Sequence, residues 1–311
     1  MRVIYLGTPE NSAHCLEYLL DEGIQIVGVV TQPDRPFGRN LAIKEPPVKK
    51  IALARGIPVF QPEKASGRDS IDKLTMLAPD IIAVFAFGEF LSDDFLRIPK
   101  ISTVNLHLSL LPKYRGAAPV QWAIINGEKI TGVTSFHIVK EIDAGDIIYQ
   151  EEAPIFDNDN AATLMDRLTT IGSKLFAKTL KDLFSGIAPR IPQQHSLAIR
   201  APKLKKSDGH IDWSLDAQHI RNLIRGMNPW PCAYSFWNTP KSQKIVRFLF
   251  ASLMESGIGE PGKVFVSGND FCVYTGDKAL KITSVQIEGR RAMSGQEFLN
   301  GHREIVGAIL K

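Results

Sequence analysis

The first half of the chain alternates apolar, strand-like runs with helix-like stretches, and this alternation limits the possible folds more than any other feature. The strand-like runs are Val3–Gly7, Ile24–Thr31, Ile57–Gln61, Asp80–Gly88, Thr103–Leu108, Gly132–Val139 and Ile147–Ile155. Several are apolar throughout, as expected for a sheet covered on both faces. Helical stretches near 10–22, 46–55, 67–78 and 116–127 separate the early runs. The pattern predicts a doubly wound, mostly parallel, Rossmann-like α/β sheet.

The second half has a different texture. A long helix is predicted to begin near Asp159 or Asn160, and after residue 189 the chain becomes proline-rich and polar, which is typical of a linker. A short helix and five short strand-like runs follow: Leu215–Met227, then Ala233–Trp237, Ile245–Phe250, Gly262–Val266, Phe271–Tyr274 and Leu280–Gln286. Glycine and proline turns between such runs favour a small β-barrel. We expect an α/β domain (1–189), a linker (190–206) and a smaller, OB-like β-barrel domain (207–311).

The composition is that of a globular protein, with 44% hydrophobic and 23% charged residues. No apolar stretch approaches the about 18 residues that a membrane span needs. The chain enters a predicted strand within its first residues, so no secretory leader is expected. Cys15, Cys232 and Cys272 are widely spaced, without the paired spacing of a zinc site. We expect a cytoplasmic protein with no metal and no membrane partner.

The charge is distributed unevenly along the chain. Residues 190–311 contain 17 Lys and Arg against 10 Asp and Glu, whereas the whole chain has 37 against 33. The first 189 residues are therefore mildly acidic, and the rest is basic. A basic C-terminal domain favours a polyanionic partner such as nucleic acid.

Asn105 and His107 are the most distinctive polar pair in the sequence. They lie two residues apart on a predicted strand, so both side chains project from the same face. The strand leads into a loop rich in proline and glycine, at the edge where active sites form in doubly wound sheets. An amide donor and an imidazole suit a reaction in which a carbonyl oxygen gains negative charge while a proton moves.

Other chemistries lack their usual motifs. The first loop, Gly7–Glu10, is not the Gly-x-Gly-x-x-Gly of dinucleotide sites, and no P-loop or Gly-x-Ser-x-Gly elbow is present. A carboxylate completes the remaining candidate site. Asp143 follows a predicted strand, and Gly145 permits a tight loop beside it. From the residues alone, Asp143 is equally explained as an ordinary turn residue.

Several motifs resemble the formyltransferases that use 10-formyltetrahydrofolate. The catalytic-domain motifs are His107–Pro112, Tyr114–Gly116 and Asp143–Asp146. Others resemble the members of that family whose acceptor is a methionyl-tRNA: Thr31–Arg39, Gly116–Pro119, Ile211–Trp213, Asn228–Pro231 and Arg291–Ser294. These motifs occur in the family's order over essentially the whole chain.

The resemblance implies a triad of Asn105, His107 and Asp143. The methionyl α-amine would attack the formyl carbon, Asn105 and His107 would stabilise the oxyanion, and Asp143 would orient the imidazole and help to move the proton. It also implies 10-formyltetrahydrofolate as co-substrate, without a metal. The implied donor-binding residues are Phe87, Gly88, Glu89, Phe90, Leu91, Ser109, Leu110, Leu111 and Pro112.

The resemblance further implies that loop 32–50 contacts the acceptor end of methionyl initiator tRNA, through Arg35, Arg39, Lys44, Lys49 and Lys50. Lys203, Lys205, Lys206, Lys244 and Arg247 are candidates for phosphate contacts on charge alone. The family pattern implies a monomer. Two alternatives stay open: a formyltransferase for an amino sugar nucleotide or another small amine, and a catalytically inactive RNA-binding protein.

Three positions depart from the family pattern. Leu108 replaces a small residue, and the strand's alternation turns it away from the site, so we expect a packing difference only. Lys140-Glu141 replaces an acidic residue and a glycine before the Asp143 loop. Glu89 stands where an apolar residue is usual, which bears on donor binding.

Overall fold

The computed structural model describes residues 1–37, 42–240 and 242–311. Its contacts divide the chain into two compact units that are interleaved in sequence. Unit 1 comprises Met1–Pro119, Ile130–Pro154 and Met165–Pro202, and unit 2 comprises Val120–Lys129, Ile155–Leu164 and Lys203–Lys311. The domain boundaries expected from the sequence stay a prediction.

The apolar runs of the first half become strands in the expected order. The elements are β1 (Val3–Gly7), α1 (Glu10–Asp21), β2 (Ile26–Val30), β3 (Arg35–Phe37), β4 (Ala42–Lys44), α2 (Pro47–Ala54), β5 (Val59–Phe60), α3 (Arg68–Thr75), β6 (Ile81–Phe85), α4 (Asp93–Leu96), β7 (Ser102–His107), α5 (Pro119–Ile125), β8 (Ile130–His137), β9 (Ile147–Pro154) and α6 (Ala161–Phe184).

The main sheet has the strand order β5-β2-β1-β6-β7-β8-β9. The strands from β5 to β7 are parallel, whereas β8 is antiparallel to both of its neighbours. The chain moves outward from β1 to β2 and β5, then returns to place β6 on the other side of β1. This reversal confirms the predicted doubly wound, mostly parallel sheet.

The apolar runs lack alternation because the central strands are covered on both faces. All five residues of β1 and all five of β6 are buried. On one side, Ile4 and Ile82 pack with Leu74 of α3 and Phe95 of α4 in one core cluster. Burial of such side chains supplies most of the driving force for this layer.

The second half adds one long helix and a separate sheet. Asn160 caps α6, since its Oδ1 accepts the Thr163 N–H at 3.0 Å. The later elements are α7 (Ala217–Met227), β10 (Ala233–Asn238), β11 (Gln243–Leu253), β12 (Val264–Ser267), β13 (Asp270–Tyr274), β14 (Ala279–Ile287), β15 (Met293–Ser294) and α8 (Gly295–Gly301). The strands form a curled, antiparallel half-barrel sheet in the order β10-β11-β14-β13-β12, with β15 beside β14.

Aromatic residues fill the core of unit 2. Phe298 of α8 stacks on Phe271 with ring centroids 5.2 Å apart, and Trp237 meets Phe298 edge-on at 6.4 Å. Trp213 is buried, and its indole N–H donates to Ser235 Oγ at 2.8 Å. The polar atom of this large side chain is thus satisfied inside the core.

Part of the predicted linker belongs to unit 1. Ile191 and Ile147 exchange two backbone hydrogen bonds, at 2.8 and 2.9 Å. Farther along, Arg115 donates its backbone N–H to Ile199 and accepts that of Ala201, at 2.8 and 2.7 Å. Residues 191–201 are therefore attached to the start of β9 and to the loop after β7.

Candidate active site

His107 is the last residue of β7, and 6% of its surface is exposed. Its ring meets that of Phe136 on β8 edge-on, with centroids 6.4 Å apart. Nε2 lies 2.9 Å from the carbonyl oxygen of Tyr114. A carbonyl oxygen can only accept a hydrogen bond, so Nε2 carries a proton and donates it. Nδ1 is therefore the ring nitrogen left for other chemistry.

Asp143 faces that nitrogen, with its Oδ2 3.7 Å from His107 Nδ1. Hydrogen bonds of this kind rarely exceed about 3.2 Å, so this contact is too long to be one. The carboxylate still attracts the ring when the ring is positively charged, and a proton on Nδ1 stays available for another acceptor. The carboxylate is anchored elsewhere, because Oδ2 accepts the Gly116 N–H at 2.8 Å. Asp143 has φ +51°, a left-handed conformation that Asp tolerates better than most residues.

The strand before Asp143, β8, is antiparallel to β7. In a parallel sheet, Asp143 would follow the carboxyl end of a strand beside β7. Here β8 is antiparallel, so its last residue, His137, pairs with Val104, about 10 Å along β7 from His107. Loop 138–146 turns back along β7 to reach His107. Gly145 makes this possible, since a Cβ there would overlap the His137 carbonyl oxygen.

Asn105 lies two residues before His107 on the same face of β7. It is half-buried, between Val84 of β6 and Phe136 of β8 in the sheet register. Its amide makes no hydrogen bond among residues 1–37, 42–240 and 242–311. The structure thus brings the predicted amide, imidazole and carboxylate together, with the amide free to bind another molecule.

Two buried residues that we did not select from sequence hold the Asp143 loop. Gln193 Nε2 donates to the carbonyl oxygens of Asp143 and Gly145, at 2.8 and 2.7 Å. Gln193 Oε1 accepts from Arg115 Nη2 at 2.7 Å. Arg115 belongs to a motif that we quoted. Gln193 had no signal, because a polar residue among prolines is typical of a linker.

Arg115 also lies near one of the positions that depart from the family pattern. Its Nη1 lies 3.7 Å from Glu141 Oε1, and its Nη2 lies 3.1 Å from His195 Nδ1. The guanidinium is buried, whereas 71% of the Glu141 side chain is exposed. Such a solvated ion pair contributes little energy. Lys140-Glu141 is therefore compatible with a closed loop.

Residues 87–91, predicted to bind the donor, follow β6. Phe87 is buried, Glu89 and Leu91 are half-buried, and Gly88 and Phe90 are exposed. Phe87 packs in the core of unit 1, whereas 69% of Phe90 is accessible. Glu89 Oε1 accepts the Ala65 N–H at 2.9 Å, which gives this unusual residue a structural partner.

Residues 109–112, the second predicted donor segment, are fixed by hydrogen bonds. Ser109 and Leu111 are buried, and Leu110 and Pro112 are half-buried. Thr134 Oγ1 donates to the Ser109 carbonyl at 2.6 Å and accepts the Leu111 N–H at 3.1 Å. Gln150 Nε2 donates to the Leu111 carbonyl at 2.9 Å. Leu108 is 5% exposed, in keeping with the packing role expected for it.

The basic residues of loop 32–50 have different surroundings. Lys49 Nζ lies 2.6 Å from Asp34 Oδ2 and 3.0 Å from Glu45 Oε1. Hydrogen bonds from Gln61 and Lys49 lower the pKa of the Asp34 carboxyl, and the bond to Asp34 raises the pKa of Lys49. Arg35 Nη2 lies 3.4 Å from Glu63 Oε2, and Lys44 is the residue opposite Arg35 in the β3–β4 pairing. Lys50 is exposed, and Arg39 lies outside the described residues.

The basic candidates of unit 2 form two groups. Lys203, Lys205 and Lys206 are exposed near the start of the unit, before α7. Lys244 and Arg247 are half-buried on β11. Lys244 Nζ lies 5.0 Å from the centre of the Trp237 ring, and Arg247 Nη2 lies 4.0 Å from Glu288 Oε1.

Metal-ligand clusters and cysteines with a lowered pKa are absent from the part of the chain that the structure describes. Across the described ranges, no three His, Cys, Asp or Glu side chains cluster as metal ligands. Burial raises the pKa of the Cys15 thiol to about 11, and it also raises the pKa of Cys232 and Cys272. Among helices that the structure describes, none has the length and apolar character to cross a bilayer.

Comparison with known proteins identifies the family. Residues 1–180 match the family "Formyl transferase", and residues 203–303 match "Formyl transferase, C-terminal domain". A methionyl-tRNA formyltransferase of Thermodesulfovibrio yellowstonii is 43% identical over 97% of this chain and 96% of its own. That of Clostridioides difficile is 40% identical over 100% of both chains. The chain belongs to the methionyl-tRNA formyltransferase family.

Solved structures share the fold of this family at lower identity. An N-formyltransferase from Helicobacter canadensis, solved with folinic acid and dTDP-3-aminofucose, has a TM-score of 0.68 and 21% identity over 90% of this chain and 97% of its own. HypX from Aquifex aeolicus, solved with tetrahydrofolic acid, has a TM-score of 0.64 and 21% identity over 98% of this chain. The chain spans about half, 48%, of HypX. At such identity these likenesses show the fold alone.

Proposed function

We propose that this protein transfers the formyl group of 10-formyltetrahydrofolate to the α-amino group of methionyl initiator tRNA, for translation initiation. The observation that carries this function is the match to methionyl-tRNA formyltransferases at 40–43% identity over nearly full length. Both domain families are present in one chain. This full-length match favours a tRNA acceptor over an amino sugar nucleotide and over an inactive RNA-binding protein.

The catalytic roles of Asn105, His107 and Asp143 are supported by their geometry. In the reaction the amine nitrogen forms a bond to the formyl carbon, and the bond from that carbon to N10 of the folate breaks. Negative charge on the formyl oxygen would be stabilised by the Asn105 amide and by His107 Nδ1–H. Each such donor typically lowers the barrier by about 3 kcal/mol.

Asp143 would balance the charge of the imidazolium. Tyr114 O faces Nε2 of His107 and Asp143 Oδ2 lies near Nδ1, so the carboxylate is placed where it would offset positive charge on the ring. The amine must also lose a proton as N10 gains one. The Asp143 carboxylate can relay this proton through water.

The donor site is proposed at 87–91 and 109–112. The second segment has a hydrogen-bonded backbone, which suits a surface that must keep its shape around a ligand. The exposed Phe90 ring offers apolar area after β6. These features support the assignment of the pterin to this part of unit 1.

The tRNA contacts are proposed on loop 32–50 and on the basic residues of unit 2. Phosphate contacts from exposed lysines add affinity without reading sequence. Lys50, Lys203, Lys205 and Lys206 are exposed and best placed for this role. Lys49 binds two carboxylates, so we assign it mainly to holding the loop in shape. We also propose that the protein is monomeric and acts in the cytoplasm.

The test is formyl transfer from 10-formyltetrahydrofolate to three acceptors: methionyl initiator tRNA, free methionine and a dTDP-linked amino sugar. We expect efficient transfer to the tRNA alone. Equal or better use of either small amine would overturn the proposed acceptor. Binding of methionyl-tRNA without any transfer would instead indicate an inactive RNA-binding protein.

A further inference from the structure

We propose that Gln193 is a positioning residue for the formyl-transfer reaction, acting through the backbone of Asp143. This inference rests on the proposed role of Asp143 and deepens it. Gln193 lies 50 residues after Asp143, in the segment that leads from α6 toward unit 2. Its side-chain amide bonds to Arg115 and to the Asp143 loop, so its effect would come from where it holds that loop.

The contacts with the loop use both amide protons of Gln193. Nε2 lies 2.8 Å from the Asp143 carbonyl oxygen and 2.7 Å from that of Gly145. One amide group thus bridges two carbonyls on either side of Ala144. A loop held at two neighbouring carbonyls has little freedom to rotate, so its left-handed Asp143 conformation is fixed from outside.

The orientation of the Gln193 amide is itself determined. Its Oε1 accepts from Arg115 Nη2 at 2.7 Å and from Arg115 Nε at 3.2 Å. A flipped amide would place N–H groups against the guanidinium and an oxygen against two carbonyls. Arg115 is 9% exposed and Gln193 6%, so water cannot readily replace these bonds.

The two ends of Asp143 are consequently tied to one segment. Gly116, the residue after Arg115, donates its N–H to Asp143 Oδ2 at 2.8 Å. The Arg115 side chain reaches the Asp143 main chain through Gln193. The carboxylate and the backbone of Asp143 are therefore both held by contacts that lead to residues 115–116. This double attachment would keep Oδ2 in place beside His107 Nδ1.

A merely structural glutamine would behave differently from a positioning one. Loss of a structural contact lowers the melting temperature but leaves kcat unchanged for each folded molecule. Loss of positioning lowers kcat while the KM values for donor and tRNA stay nearly constant, since Gln193 is buried and its amide is already bonded to Arg115, Asp143 and Gly145. A misplacement of about 1 Å can cost up to about 100-fold in rate.

The decisive variant is Gln193→Glu, which keeps the size of the side chain and its attraction to Arg115. The carboxylate would oppose the Asp143 and Gly145 carbonyls instead of donating to them. We expect kcat to fall at least about 10-fold, with both KM values within about twofold of wild type. Gln194→Glu is the matched control, because it adds the same charge at the neighbouring residue, which is exposed. It should retain the wild-type kcat.

Gln193→Leu provides a second measurement if the glutamate variant does not fold. Assays are run on the folded fraction, at a temperature below the melting transition of each variant. Wild-type kcat in either folded variant would overturn the proposal, as would a change confined to KM. Asp143→Asn is assayed alongside: if it keeps wild-type kcat, the role of Asp143 itself fails. A normal Gln193 variant beside an inactive Asp143→Asn would overturn only the positioning role.

Discussion

At the scale of single residues, the candidate site depends on which hydrogen bonds are already made. His107 Nε2 is occupied by the Tyr114 carbonyl, and Asp143 Oδ2 by the Gly116 N–H. The Asn105 amide and His107 Nδ1 are left facing the same side of β7. Preorganised donors of this kind lower a barrier because they need no reorientation when charge develops.

Replacement of Asp143 by asparagine should separate binding from chemistry. The amide oxygen can still accept the Gly116 N–H, so the loop can keep its shape, but the negative charge beside His107 is lost. We expect kcat to fall by at least about 100-fold, as for a lost electrostatic and proton-transfer group. Filter binding of methionyl-tRNA should be unchanged.

Asp146→Asn is the control for that change. Asp146 lies in the same loop and pairs with Arg190 at 2.6 Å, away from His107. We expect near wild-type kcat for this variant. Similar losses in both variants would mean that loop charge in general, and not the Asp143 carboxylate, is required.

His137 predicts a pH dependence of stability. Burial, and secondarily the charge of Arg190, lowers its pKa, while Asp146 acts in the opposite direction. The unfolded chain therefore binds a proton at a pH where folded His137 stays neutral. Its stabilising contribution is complete above about pH 6.5 and declines as the pH falls below that value.

Thermal melting at pH 7.5 and 5.5 checks this. Between pH 7.5 and 5.5, the melting temperature of the wild type should fall by more than that of His137→Gln, whose side chain cannot titrate. The glutamine can still bond to Ser102, whose Oγ lies 2.7 Å from His137 Nδ1. Equal losses in the two proteins would exclude His137 as the responsible group.

At the scale of elements, apolar runs located every expected strand of the main sheet, but not the direction of each. A run such as residues 132–139 is buried whether it pairs parallel or antiparallel, so its composition is uninformative about direction. Asn105 and His107 could be predicted to be neighbours because they lie on one strand. Gln193 could not be found, because its role depends on contacts with residues 78 and 50 positions earlier.

Short elements were missed for a different reason. The β3–β4 hairpin lies in a proline- and glycine-rich loop where propensity is weak. Helix α8 did have a signal, since Ser294 and Glu297 form a capping box in which each side chain accepts the other's backbone N–H. In the sequence analysis, Ser294 appears only within the family motif Arg291–Ser294, and no helix is predicted there.

Gly145→Ala tests the tight return of loop 138–146. The new Cβ would overlap the His137 carbonyl oxygen, so the loop must move. We expect a loss of stability of about 1–3 kcal/mol together with a large fall in kcat, because Asp143 lies two residues away. Chemical denaturation and steady-state assays measure the two effects.

Gly301→Ala serves as the matched control. Gly301 has open space around its Cβ position and lies in α8. Alanine there should be neutral or slightly stabilising. An active, stable Gly145→Ala protein would show that the loop tolerates displacement, contrary to the positioning argument.

At the scale of the whole molecule, the excess of basic residues and the triad candidates lie in different parts of the chain. The basic residues after position 190 suit phosphate contacts, while the triad candidates lie on the mildly acidic first part. Affinity for tRNA and transfer chemistry should therefore respond to different conditions. Salt weakens phosphate contacts by screening and ion release.

The KM for methionyl-tRNA should rise steeply with KCl, whereas the KM for 10-formyltetrahydrofolate should change little. Lys206→Ala should reduce the slope of log KM against log [KCl] by about one. Lys100→Ala is the comparison, since Lys100 pairs with Asp80 at 3.4 Å in unit 1. Identical slopes for the two variants would remove Lys206 from the tRNA surface.

The two hydrogen bonds from Gln193 to the Asp143 loop also affect when activity arises during synthesis of the chain. The parts of the site come from residues 105–116, 143–145 and 193–201, and the contacts that hold the Asp143 loop join residues 27, 50 and 78 positions apart. Loops of this length cost closure entropy before their contacts form. A ribosome-bound chain that has exposed only β1 to β9 would have Asn105, His107 and Asp143, but it would lack Gln193, which holds the Asp143 loop. Full formyl-transfer activity should therefore appear only after residue 201 has emerged.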